Sequence, residues 1–171
     1  KIRKTDAIPN ADLYYILVPD RFITSVARSI KSGILLHASG AQDHLILRPH
    51  KTVGVLHPIM SFPGPEISIP SPPIPASMSG DPEALKAAQV LGKLLGFKCF
   101  QYDGDRTLYH AAAVLAGNFS TSLIHFAAKL IETENLSKAQ AIQMLTPLAL
   151  QSIHQAHTGT LSKTLTGPVS R

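Results

Sequence analysis

The sequence predicts an α/β chain: part of a doubly wound parallel sheet over residues 1–102, followed by a mostly α-helical region over 103–171. Three observations carry this reading. Short apolar runs recur between Ala11 and Pro58 with helical or linking segments between them. Prolines then crowd into residues 61–79. Beyond them, from Asp105 to Glu134, the chain is alanine-rich and free of proline. Strand, helix, strand, helix, strand with short links is the pattern of a parallel sheet with right-handed crossovers.

The first run, Leu13-Tyr14-Tyr15-Ile16-Leu17-Val18, is continuously apolar rather than alternating, as expected of a strand buried on both faces, and closes at Pro19-Asp20. Phe22, Ile23, Val26, Ala27 and Ile30 follow at helical spacing, and Gly33 stops that helix. Ile34-Leu35-Leu36 is the next strand and ends at His37-Ala38-Ser39-Gly40. A short helical piece is expected over 42–47, before Pro49, and Thr52 to Leu56 forms a third strand ending at His57-Pro58. Pro63, Pro65, Pro70, Pro72, Pro73 and Pro75 make 61–79 an excursion, with a short strand near Ala76-Ser77-Met78. Asp81-Pro82 opens a helix to about Leu95, with Asp81 at the N-cap and proline where it is tolerated. Gly96 ends that helix, and Phe97 to Phe100 is a short strand. The long helix over 105–134 closes at Asn135. Ser137 caps a further helix to about Leu145, Pro147 starts another to about His157, and Leu165-Thr166-Gly167-Pro168 is a turn.

The hydrophobic fraction of 44% supports a sizeable core, and only 16% of residues are charged, which fits a surface partly covered by another subunit or simply one rich in uncharged polar residues. The formal charge of +5 is scattered, with no basic run interleaved with aromatics, so nucleic-acid binding has little support, whereas an anionic cofactor or substrate suits it. The single cysteine, Cys99, excludes an internal disulfide and points to a reducing, cytoplasmic setting. No uninterrupted apolar run approaches the roughly 18 residues of a membrane span, and the opening residues do not form a signal-peptide pattern.

In an open parallel sheet, ligands bind beyond the carboxyl ends of the strands. Val18-Pro19-Asp20, His37-Ala38-Ser39-Gly40 and His57-Pro58 are therefore expected to line one crevice for a small molecule. On the long helix, steps of four place His110, Val114 and Asn118 along one side. His110 can donate or accept a proton near neutral pH and Asn118 can orient a carbonyl or hydroxyl; alternatively both satisfy backbone groups in a core helix. Two histidine pairs, His50 with His57 and His154 with His157, lack a nearby acidic ligand in sequence, and no metal is expected. The Gly-x-Gly-x-x-Gly turn that normally holds a pyrophosphate is absent from the sequence, and the chain is expected to be cut at both ends.

Four segments together resemble one known family: Leu36-His37-Ala38-Ser39-Gly40-Ala41; Gly54-Val55-Leu56-His57-Pro58-Ile59-Met60-Ser61-Phe62-Pro63; Tyr109-His110-Ala111-Ala112-Ala113-Val114-Leu115-Ala116-Gly117-Asn118-Phe119; and Leu165-Thr166-Gly167-Pro168-Val169-Ser170-Arg171. They are similar to hallmarks of the Rossmann-like family whose helical C-terminal half is known as a domain of unknown function. The resemblance covers nearly the whole chain. It implies an N-terminal NAD(P)-binding domain and a helical domain similar to the dimerising domains of 6-phosphogluconate, hydroxyacid, ketopantoate and pyrroline-carboxylate reductases. His57-Pro58-Ile59-Met60 is also similar to a strand end of prephenate dehydrogenases. Related reductases often carry a lysine followed by asparagines on the first long helix of the second domain. Here the comparable edge offers His110, Val114 and Asn118 with no lysine, so either the proton donor is replaced or the protein binds without catalysing.

The resemblance and the residues together imply an NAD(P)-dependent oxidoreductase acting on a small, carboxylated substrate in an inter-domain cleft. NADP or NAD would lie against Val18, Pro19, Asp20, His37, Ser39, Gly40 and Pro58. His110 or His57 would move the proton, Asn118 would position the substrate, and a homodimer would form through the helical domain. The alternatives are a non-catalytic dinucleotide-binding or regulatory module on the same scaffold, and a structural dimerisation protein.

Overall fold

Leu35 and Leu36 are neighbours in sequence and both are fully buried, which requires a strand covered on its two faces. A computed structural model describes residues 8–62, 64 and 73–159 and supplies that cover. Its elements run β1 (Leu13–Ile16), α1 (Asp20–Arg28), β2 (Ile34–His37), a 3-10 turn (His44–Leu47), β3 (Val53–Pro58), β4 (Ile74–Gly80), α2 (Pro82–Leu94) and β5 (Phe97–Gln101). They are followed by α3 (Arg106–Val114), a π-helical segment (Leu115–Phe119), α4 (Ser120–Leu130) and α5 (Lys138–Thr158). The α/β class is as expected. The turn expected at Leu165–Pro168 lies outside the described residues.

The five strands form one sheet in the order β1-β2-β3-β4-β5. On one face Ile23, Ala27 and Ile30 pack with Leu35, Leu47 and Val53; on the other, Ala84 and Ala88 of α2 pack with Leu36, Leu56 and Ala76. Successive residues of β2 and β3 thus feed opposite cores, which is why their sequences read as continuous apolar runs. Gly92 belongs to the α2 contact: a Cβ there would collide with the Cys99 sulfur, so glycine lets helix and β5 meet closely.

β4 differs from the expectation in length and setting. It begins at Ile74, well inside the segment read as an excursion, and pairs antiparallel to β3 with His57 opposite Ser77, while β5 pairs parallel to β4. Strand direction is not encoded in local pattern, and the connection after Pro58 is long enough for either sense. Gly80 (φ 137°) lies against the Gly54 backbone, where a side chain has no room. Asp81 does sit at the N-cap position of α2, but its carboxylate makes no cap bond. It accepts instead from the Val53 N–H and from Arg48, both at 2.8 Å. These bonds hold its pKa below the ordinary carboxylate value, the Val53 bond most and Arg48 in addition. Asp81 therefore ties β3 to the end of β4 rather than finishing its own helix.

The chain forms two compact units, 1–113 and 114–171. The division falls within the long helix, so α3 up to Ala113 belongs with the sheet. That helix departs from expectation twice. It ends at Leu130 rather than Glu134, and the π-helical segment interrupts it. A π turn carries one more residue than an α turn, which breaks the four-residue step. The regular four-residue step used to place His110, Val114 and Asn118 holds from His110 to Val114 within α3, and the π-helical segment follows it. In the second unit α4 and α5 pack at Ala128 and Ala141, both fully buried. Ser137 and Gln140 form the capping box that starts α5. Pro147 does not start a new helix. It lies inside α5, which is continuous from Lys138 to Thr158.

The stretch Arg106–Leu130 reaches a mean hydropathy of 1.3 over 18 residues, long and apolar enough to cross a membrane by length and composition alone. Polar residues interrupt it, which is why no single apolar run marked it in the sequence.

Candidate functional site

Strand alternation places His37, Val55, His57, Ser77 and Ser79 on one face of the sheet, at neighbouring positions of β2, β3 and β4. Five of the predicted strand-end residues, Asp20, His37, Ser39, Gly40 and His57, meet here. Ser39 follows β2 and is buried. Its hydroxyl donates to Asp20 Oδ2 (2.8 Å) and accepts from the N–H groups of Ala41 (3.2 Å) and Gln42 (3.1 Å). That hydroxyl is fully engaged in holding the turn and joins it to the start of α1. Gly40 sits edge-on to His57: a Cβ at Gly40 would lie 2.8 Å from His57 Nε2. Glycine is needed there for close approach, not for an unusual φ.

His37 is fully buried with both ring nitrogens occupied. The Ser39 N–H donates to Nδ1 (3.1 Å), so Nε2 carries the proton and donates to the Asp43 carbonyl (3.2 Å). Burial pushes its pKa down to about 4, against the opposing bond to Asp43. With both nitrogens bonded, this neutral imidazole holds the turn after β2.

His57 is different. It is half-buried, and Nδ1 lies 2.8 Å from the Tyr109 hydroxyl, the two rings meeting edge to face at 5.6 Å. Burial lowers its pKa to about 4, with Arg106 and His110 adding to the effect and Asp20 opposing it. Only one ring nitrogen is committed, so Nε2 can donate or accept according to which tautomer Tyr109 selects. His57 is the histidine of this site with spare chemistry.

Arg106 was not singled out by sequence. It begins α3, where a basic residue ordinarily faces solvent, yet it is only 5% exposed. Nη1 donates to Ser77 Oγ and Nη2 to the Ser39 carbonyl, both at 3.1 Å, and the guanidinium lies 4.3 Å from the Tyr109 ring centroid. Tyr102 packs on Tyr109 at 5.2 Å. Asp105, just before, caps α3 by accepting from the N–H groups of Thr107 and Leu108. The readable signal was on β4, where Ser77 and Ser79 occupy buried sheet positions that need polar partners.

The remaining predicted residues are less central. Val18 packs against the α1 core, Pro19 precedes α1 and is exposed, and Pro58 ends β3 half-buried. His110 is exposed on α3, and Asn118 is exposed in the π-helical segment of the second unit. Among the described residues, no three or more His, Cys, Asp or Glu side chains gather as a metal site.

A parallel β1-β2-β3 sheet with a helix on each face and a polar cluster at its strand ends is a Rossmann-like arrangement. The family described as Domain of unknown function (DUF2520) matches residues 74–171, more than half of the chain. The chain belongs to the DUF2520 family.

Solved structures agree on the fold of this DUF2520 chain. It superposes on protein TM1727 from Thermotoga maritima with a TM-score of 0.71 and 21% identity, over 95% of this chain and 65% of that one. It superposes on the proposed NADP oxidoreductase BF3122 from Bacteroides fragilis at 0.73 and 22%, over 96% and 66%. Prephenate dehydrogenase from Aquifex aeolicus matches at 0.51 and 11%, over 86% and 69%. The chain thus spans about two thirds of the length of these proteins. No curated protein sequence matches it.

Gly40 lets the turn after β2 close onto the His57 ring, which fills the space a side chain at Gly40 would take. A glycine-rich phosphate turn is not part of this sequence.

Proposed function

We propose that the chain is part of an NAD(P)-dependent oxidoreductase acting on a small, carboxylated molecule, with His57 as the proton-transfer group. The observation that carries this is the half-buried His57 between Gly40 and Tyr109, at the strand ends of a Rossmann-like sheet. Gly40, Ser39, Val18, Pro19, Asp20, His37 and Pro58 would hold the nicotinamide end of NADP or NAD, directly or by fixing the turns beside it. Bound NAD(P) supplies or accepts the hydride. With a pKa of about 4, His57 is neutral at physiological pH. When its Nδ1–H donates to Tyr109, Nε2 presents a lone pair and can take a proton from a substrate hydroxyl. When Tyr109 donates to Nδ1, Nε2–H can give one to a carbonyl oxygen. His110 is the second proton-transfer candidate and Asn118 the substrate-orienting one, each from the sequence pattern.

Assembly as a homodimer belongs to the same reading. Among its described residues the second unit buries two alanines fully while leaving Leu123, Phe126, Leu130, Met144 and Leu148 exposed. A helical hairpin with so little core needs further cover.

The test is titration of the intact protein with NADPH and NADH, followed by turnover assays on keto and hydroxy acids with His57→Ala. Saturable binding, with turnover lowered roughly 10²–10⁴-fold in the variant, is expected. Absence of binding at tens of micromolar rejects the reading. Tight binding without turnover favours the non-catalytic module.

A further inference from the structure

Arg106 combines three properties that a purely structural arginine rarely combines. It is 5% exposed, it forms no salt bridge among the described residues, and its Nε is buried without a hydrogen-bond partner. Its bonded neighbours are neutral: a serine hydroxyl, a carbonyl and an aromatic face. Burying a guanidinium without a counter-ion is costly, and native sites that tolerate the cost commonly meet the missing charge with a ligand. The nearby acids do not discharge it. Asp20 is exposed and bonded to Ser39, and Asp43 acts on Arg106 only from beyond ion-pair distance.

We propose that Arg106 is the positioning and charge-selecting residue of this site: fixed under the Ser39–Gly40 turn and against Tyr109, it makes the surroundings of His57 select a small carboxylate over a neutral molecule of the same shape. It acts through others. One Nη fixes the backbone that brings Gly40 to His57, the guanidinium face orients Tyr109 against His57, and the charge, poorly screened because buried, extends to the space beside His57. The proposal deepens the oxidoreductase reading by naming the residue that selects the carboxylate of its substrate, and it rests on that reading for the substrate's role.

The experiment follows the His57 ring by NMR in the full chain while acetate, or acetamide as its neutral counterpart, is added. The wild type should show saturable shifts with acetate and none with acetamide. Arg106→Gln should weaken acetate binding tenfold or more and raise the His57 pKa from about 4. The groups whose charge reaches His57 are Arg106 and His110 from α3, Asp20 from α1 and His37 from β2, and only the first is altered. Arg106→Lys should keep acetate selectivity while loosening the turn. Equal response of the wild type to acetate and acetamide overturns the proposal without any variant. So does an unmoved His57 titration in a folded Arg106→Gln protein. Parallel NADPH titration separates the two readings: acetate selectivity without NADPH binding leaves Arg106 its role and removes the oxidoreductase, while the reverse result removes only the role of Arg106.

Discussion

His37 and His57 occupy successive strand ends and carry the same depressed pKa, yet they differ in what their ring nitrogens have left to bond. Hydrogen-bond accounting separates them: both nitrogens of His37 are spent and one of His57 is not. The sequence placed both beside Ser39 and Gly40, because strand periodicity and parallel topology leave those ends nowhere else to go. It could not assign their roles, since a saturated imidazole and a free one have the same neighbours in sequence. Arg106 was hidden for a related reason. A cation at a helix start reads as solvated unless the buried serines across the sheet are recognised as lacking partners. The accounting yields a stability prediction. The folded pKa of His37 lies near 4, below the ordinary 6.5, so the unfolded chain takes up the proton first. Its contribution is complete above pH 6.5, is lost as pH falls from there toward 4, and is constant below. The loss amounts to about 3 kcal/mol at most. Denaturant melts from pH 7 to 4 should show this decline added to a like one from His57, and His37→Asn should make it shallower by the His37 share. An undiminished decline in the variant would assign the effect to other groups.

Strands and helices were legible where their own residues determine them. α1, β2, α2 and β5 lie close to where apolar spacing, glycine stops and the Asp81-Pro82 start put them. The misread features are those that depend on distant chain. The direction of β4 is set by pairing with β3, and the carboxylate of Asp81 is drawn from its helix by a strand and an arginine. Pro147 is the sharpest case, because the local rule says it should end a helix and α5 runs through it. Proline at an interior position removes one backbone donor and crowds the preceding turn, so α5 bears that cost in the native state. Pro147→Ala should therefore stabilise the second unit by about 1–3 kcal/mol, seen as a later helical melting transition by circular dichroism. An earlier or unchanged transition would show that the proline geometry is required by packing.

For the molecule as a whole, the two units differ in how much they bury. The sheet unit has a core on each face; the helical unit has two buried alanines among its described residues and a broad apolar exterior. Low charge content hinted at covered surface, although composition cannot say which surface. Light scattering should give twice the monomer mass for the wild type, and Phe126→Glu with Leu130→Glu should halve it while leaving the sheet unit folded. A wild-type monomer would refute the assembly. The close seat of α2 on β5 permits that outcome to be resolved unit by unit. Cys99 is the only cysteine in the chain, its sulfur lies beneath Gly92, and burial holds its pKa above the ordinary thiol value. Cys99 is half-buried, so its alkylation should quicken when the sheet unit opens and α2 lifts from β5. The helical unit has no cysteine, so a variant that loosens it alone should change the circular dichroism while thiol capture keeps its original pace.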